Sequence, residues 1–294
     1  MKDEPRDEKI RRQMDTFPVL PATVAEILRV TGDPESSAGD LMAALLPDQS
    51  LCATVLKLAN SALFGRPRRV DSLQAAIMVL GFNEVQSIAL VKAMLNTFRD
   101  FDAACAAAVE SFWEHAFLTA MTTNRIALDL RLPLGPSFMA GLIHDLGKLV
   151  LLQTFGEEYG SQRWLQGCTS QERLAAERLE FAFDHAELGG QLLRQWQFPA
   201  TLVTTTALHH QPGRANSDRL TVRVVQLADL MAHCCQDGAT PVDATAARQA
   251  LLPGIEAHWR PLGVAWGDEL WTRWDAWLRD NRQHSLEFRG LLAA

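Results

Sequence analysis

The stretch GLIHDLGKLVL at 141–151 sets His144, Asp145 and Lys148 into an otherwise apolar run that extends from Phe138 to Phe155. Three ionisable side chains would be costly at bilayer depth, so the run reads as a buried helix of a globular fold and not as a membrane span. Lys148 follows His144 by four residues and Asp145 by three, which puts its ammonium on their face. There it can neutralise the carboxylate or hold a phosphate beside a metal. Adjacent helical residues point about 100° apart, so His144 and Asp145 reach one ion only from a helix that faces a cleft.

The same question, which polar groups sit where apolar ones belong, picks out further positions. Between Thr221 and Cys235, Val222, Val224, Val225, Leu227 and Met231 make a helix apolar nearly all round, with Asp229 in it. A buried unpaired anion costs several kcal/mol, so Asp229 needs a cation, a metal or a set of donors, and His233 one turn on can join it. His115 lies among Phe112, Trp113 and Phe117, where a neutral core histidine is the ordinary reading. His185 follows Asp184, and Asp184 with Glu187 makes a cap signature that would leave His185 in an exposed first turn. His209 and His210 close a helix before Pro212, where the helix dipole favours cations. Imidazoles with carboxylates suit Zn, Mn or Fe, and helical bundles assemble such sets from several helices.

From Pro18 to Trp196 the helical period recurs and no sustained alternation suggests a sheet, so the fold class is all-α. Ser37 with Asp40 and Asn83 with Gln86 read as capping boxes; Pro47 ends one helix and Asp48 caps the next. Alanines accumulate from Phe98 to Ala108, which places a junction between two helical lobes, 17–100 and 101–236. Residues 1–16 carry five cations and five anions with no apolar core and read as a solvated tail without a secretory signal. The segment Ser72 to Leu95 looks like helix-turn-helix, but its second helix offers no Arg or Lys before Lys92, so a packed hairpin is expected. Residues 237–294 read as a loop and then a tail rich in tryptophan. Trp271, Trp274 and Leu278 share a face there, a lid over the chain's own core or a surface for a partner or second copy.

The 294 residues are 48% hydrophobic and 21% charged, ordinary values for a folded chain. Lys and Arg number 28 against 35 Asp and Glu, a net charge of −7 that disfavours nucleic acid as a main partner. Cys52, Cys105, Cys168, Cys234 and Cys235 show no CxxC spacing and read as packing thiols of a reducing cytoplasm.

The order His, HD, His, HH, Asp in a helical chain resembles the HD superfamily of metal-dependent phosphohydrolases. FPVLPATVAEIL at 17–28, DQSLCATVLKLANSALFG at 48–65 and SLQAAIMVLGFNEVQSIAL at 72–90 narrow the resemblance to the HDOD family, the HD-related output domain of bacterial signalling proteins. FWEHAF at 112–117, GLIHDLGKLVL and DHAELGGQLLRQWQFP at 184–199 agree. The resemblance implies a cytoplasmic two-lobed module with an HD-like second lobe, acting through contacts with other signalling proteins and with no membrane. It implies metal ligands at His115, His144, Asp145, His185, His209, His210 and Asp229 for one or two divalent ions such as Fe, Mn or Zn. The alternative is a phosphohydrolase acting on a nucleotide or cyclic dinucleotide, with Asp145 and Lys148 in the reaction. The chain is also similar to HD-GYP phosphodiesterases, yet Leu149, Val150 and Leu151 stand where their GYP stretch would begin, which argues against cyclic-di-GMP hydrolysis.

Overall fold

A computed structural model describes residues 4–17, 20–60, 69–131, 137–161, 170–236, 259–262 and 267–293. The described residues are helical, with no strand among them. The chain divides into two compact units, one of residues 18–100 with 286–294, the other of residues 1–17 with 101–285.

The first unit contains α2 (Ala22–Gly32), α3 (Ala38–Leu45), α4 (Gln49–Ala59), α5 (Leu73–Leu80) and α6 (Phe82–Thr97). Ser37 and Asp40 form the expected capping box, and Asp48 and Ser72 accept the amides of Leu51 and Ala75. The expected box at Asn83 is absent: α6 starts two residues earlier, after Gly81, whose φ of 88° only glycine adopts readily, so the turn sets the start. The axes of α5 and α6 bend by 106°. No single described helix is long and apolar enough to cross a membrane. Leu51, Val55 and Leu58 are buried, and the only buried polar side chains described between 20 and 100 are the hydroxyls of Thr54 and Ser87.

The second unit holds α1 (Arg6–Thr16), α7 (Ala106–Asp129), α8 (Ser137–Ile143), α9 (Gly147–Phe155), α10 (Glu157–Gly160), α11 (Ser170–Phe181), α12 (His185–Gln195), α13 (Ala200–Leu208), α14 (Arg219–Gln236) and the start of α15 (Asp268–Ala293). Two expectations are corrected here. Residues 6–16 are no solvated tail: Ile10 and Met14 are buried and the Lys9 ammonium lies 4.9 Å from the Phe155 ring centroid, so one apolar stripe and cation–π contacts fix the helix. Nor is Phe138–Phe155 one helix. The chain breaks at 144–146, where Leu146, Lys148 and Leu149 donate to carbonyls three residues back, as in a 3₁₀ turn.

The described tryptophans of the tail pack inside the unit. Trp259, Trp271, Trp274 and Leu278 pack with Leu118, Ile126, Val224, Leu227 and Met231, and the Trp274 indole donates to Asp129 at 3.1 Å. Burial of such side chains contributes about 1.5–3 kcal/mol each. Trp266, Cys168 and residues 237–258, with the loop expected from Asp237 to Ala247, lie outside the described residues.

Candidate metal centre

The break at 144–146 is what lets consecutive residues serve one place. His144 leaves α8 and Asp145 follows in the turn, both buried, with Lys148 in the first turn of α9. Glycines flank them for steric reasons. A Cβ on Gly141 would stand 2.6 Å from Thr123 Oγ1 and 2.8 Å from the Thr119 carbonyl; one on Gly147 would stand 1.9 Å from the His185 carbonyl. Backbone contact at these two points draws the HD turn between α7 and α12, which carry His115 and His185.

All seven expected ligand positions come together in two groups that share Asp145. His115, His144, Asp145 and Asp229 each offer an atom within 4.8 Å of the others, and so do Asp145, His185, His209 and His210. The two oxygens of Asp145 face different groups. Its Oδ2 lies 3.3 Å from His144 Nε2 and 3.8 Å from His115 Nε2, while Oδ1 lies 3.2 Å from His185 Nε2 and 3.5 Å from His209 Nε2. The Lys148 ammonium bonds Oδ2. Asp229 Oδ1 meets His115 Nε2 at 3.0 Å and His144 Nε2 at 3.5 Å.

The ring orientations are fixed from behind. His144 Nδ1–H donates to the Gly141 carbonyl at 2.7 Å and His209 Nδ1–H to that of Thr206 at 2.8 Å, which turns both Nε2 atoms inward. Those Nε2 atoms and Asp145 Oδ1 are buried without a hydrogen-bond partner. Buried polar atoms without a hydrogen-bond partner are rare, and this arrangement, one ring nitrogen on a carbonyl and the other aimed into a cluster, is that of metal-ligating histidines. The donor set therefore fits divalent ions that prefer nitrogen and oxygen ligands.

Electrostatics gives the same account in protons. Burial opposes charge on His144, yet the Asp145 and Asp229 carboxylates hold its pKa up, at about 10. Burial likewise opposes charge on His185, and Glu177 and Asp145 raise it to about 9. Against burial, the neighbouring cations keep Asp145 and Asp229 well below the usual carboxylate range. His209 and His210 are pushed down, chiefly by burial. Without an ion, the second proton of His144 occupies the direction that a metal would take.

Two residues outside the expected ligand set belong to the site. His233 Nε2 lies 3.3 Å from Asp229 Oδ1, and its ring stacks on that of His115 with centroids 4.1 Å apart. With its side chain 34% exposed, it marks where the group nears the surface. Packing against the cluster, with His115 beside it, pushes its pKa down. Glu177 was not singled out by the sequence reading. It is fully buried, accepts from the His185 amide at 2.9 Å and from His185 Nδ1–H at 2.6 Å through Oε2, and accepts from the Tyr159 hydroxyl at 2.9 Å through Oε1. Its signal was its register: Leu174, Glu177 and Phe181 fall at i, i+3 and i+7, all on the buried face of α11. His185, expected in an exposed turn, is fully buried although Asp184 caps α12 as expected.

Comparison with known proteins comes from sequence and from structure. The family model described as HDOD domain matches residues 17–212. An uncharacterised protein of Treponema pallidum (strain Nichols) is 24% identical over 238 residues, which are 80% of this chain and 45% of that protein. Among solved structures, a protein of Marinobacter aquaeolei VT8 provisionally named a signal transduction protein superposes with a TM-score of 0.75 at 20% identity, covering 98% of this chain and 66% of that one. One from Shewanella amazonensis SB2B, provisionally named a phosphohydrolase, gives 0.72 at 22% identity over 97% and 98% of the two chains. An HDOD domain protein of unknown function from Geobacter sulfurreducens gives 0.70 at 24% identity over 98% and 97%. The chain thus spans less than half of the Treponema relative and about two thirds of the Marinobacter chain. At these identities the structural likeness speaks to the fold.

Proposed function

Because the chain belongs to the HDOD family, we propose that it is a bacterial signalling output module whose HD-like lobe holds divalent metal and which acts through contacts with other signalling proteins. The observation that carries the metal reading is the set of inward-facing atoms, His144 Nε2, His209 Nε2 and Asp145 Oδ1, buried and without hydrogen-bond partners. His115, His144, Asp145 and Asp229 would hold one ion, and Asp145, His185, His209 and His210 a second. The test is elemental analysis of protein purified without chelator. One to two ions per chain are expected; metal-free protein that also fails to take up Mn or Fe would refute the reading. For the signalling role, deletion of residues 17–100 is expected to abolish output in the bacterium, and an unaffected output would count against it.

A second reading, hydrolysis of a phosphate ester, is favoured by one specific feature: Asp145 directs one oxygen to each ligand group with the Lys148 ammonium beside it. Bound divalent ions would polarise a phosphoryl oxygen and lower the pKa of an attacking water. Within the chain, Asp145 would orient both groups, Glu177 would keep the His185 ring in place, and Lys148 would offer positive charge to a phosphate oxygen. Assay of metal-loaded protein on generic phosphodiesters and cyclic dinucleotides distinguishes the two readings. Turnover lost in Asp145→Ala supports hydrolysis; inert metal-loaded protein leaves the relay role alone.

A further inference from the structure

Beside the second ligand group lies a cavity of about 290 Å³, bounded by α11, α12 and the segment after α13. His210 belongs both to that group and to the cavity wall. Arg178, Arg194 and Arg214 line it, together with the carboxylates of Asp184 and Glu187.

The charges do not cancel. Arg178 is committed to Asp184, which also caps α12 through the Glu187 amide at 2.7 Å. Arg214 donates to the neutral Gln211 amide oxygen at 2.7 Å, so its charge is uncompensated there. Neither Arg194 nor Arg214 is in an ion pair among the described residues. Glu187 alone opposes them, and its carboxylate accepts from Gln191 at 3.3 Å. The cavity is therefore a positive recess in a chain of net charge −7. Guanidinium forks match the oxygens of phosphate and carboxylate groups in pairs. Apart from the His210 imidazole no lining residue is aromatic, so the recess lacks a stacking platform for a nucleobase. Its volume is at the small end for ligand sites.

We propose that this cavity binds a compact phosphate-bearing ligand without a stacked base, such as a phosphate monoester or pyrophosphate, through Arg194 and Arg214, and that His210 places it against the second metal group. The inference rests on the metal-centre reading for what the ligand meets beyond His210; capture by the two arginines does not require the ion.

The two parts are separable by experiment. Pyrophosphate is titrated calorimetrically into the full chain stripped of metal, with malonate as the carboxylate control at matched ionic strength. Saturable one-to-one binding of pyrophosphate is expected, at least about tenfold weaker in the Arg194→Gln/Arg214→Gln double variant, since each charge-assisted contact is strong. Glu187→Gln, which removes the opposing charge, is expected to tighten binding about two- to fivefold, an effect that misfolding cannot produce. Absence of saturable binding, equal binding by the double variant, or malonate binding as tightly as pyrophosphate would each overturn the proposal. Metal content of the reloaded double variant is expected to equal that of the unaltered protein. If the unaltered protein binds pyrophosphate but takes up no metal, the metal-centre reading fails and the arginine site stands.

Discussion

The two ligand groups that meet at Asp145 are made of different materials. One sets two carboxylates, Asp145 and Asp229, against two imidazoles, with Lys148 beside it and His233 leading to the surface. The other sets a single carboxylate against three imidazoles, and its second carboxylate, Glu177, stands behind His185 instead of facing the centre. The first group is balanced largely by its own charges. The second relies on an outer partner to orient a ring and on neutral histidines, and it is the one that borders the arginine-lined cavity. Asymmetry of this kind predicts two sites that differ in affinity and answer to different substitutions.

The largest effect belongs to the shared residue. Asp145→Asn is expected to abolish uptake at both groups, weakening each by more than about a hundredfold, beyond what loss of an outer partner costs. Equilibrium dialysis against Mn checks this; one full-strength site surviving would mean that the groups do not share a ligand. Next, Asp229→Asn should remove one ion and spare the other, so stoichiometry by elemental analysis falls by half. Equal loss at both sites would erase the distinction between them.

Glu177→Gln is expected to weaken only the second group, by roughly 10–100-fold, because the His185 ring loses its carboxylate while the Tyr159 hydroxyl keeps an oxygen to donate to. Competition against a chelator measures it, with Asp229→Asn as background so that only the second site is read. The smallest effect is the pH response of metal-free protein. His144 at about 10 and His185 at about 9 stand above their ordinary value of 6.5, so their contribution to stability is full below that value and is lost as pH rises through 9 and 10. Asp145, Asp229 and Glu177 are lowered, so theirs is present above the ordinary carboxylate range and lost on acidification. Denaturation midpoints are therefore expected to fall on both sides of neutrality. Metal uptake should strengthen with rising pH, because the ion displaces the imidazolium protons.

How much of this was legible in the sequence follows the same divide. Asp229 was readable because a helix apolar nearly all round makes one carboxylate conspicuous, and His144 and Asp145 because charge interrupts an apolar run. The turn that brings them together was not, since periodicity cannot see a three-residue break whose cause is contact of Gly141 and Gly147 with other helices. The second group hid further. Local cap chemistry at Asp184 was read correctly, but the burial of His185 comes from α9 and from Glu177, which are tertiary neighbours. Glu177 passed as one more acid of a charged helix although its register with Leu174 and Phe181 was available. The arginine cavity had no linear signal, because Arg178, Arg194 and Arg214 come from separate elements. At the chain start, a balanced run of charges concealed the stripe of Ile10 and Met14 that anchors α1.

Anomalous diffraction at the manganese edge, from crystals of the full chain grown with Mn, locates the ions themselves. A peak is expected among His115, His144, Asp145 and Asp229 and a second among Asp145, His185, His209 and His210. Crystals of folded protein with no peak touching Asp145, or with manganese only at surface carboxylates, would contradict a metal centre built on Asp145.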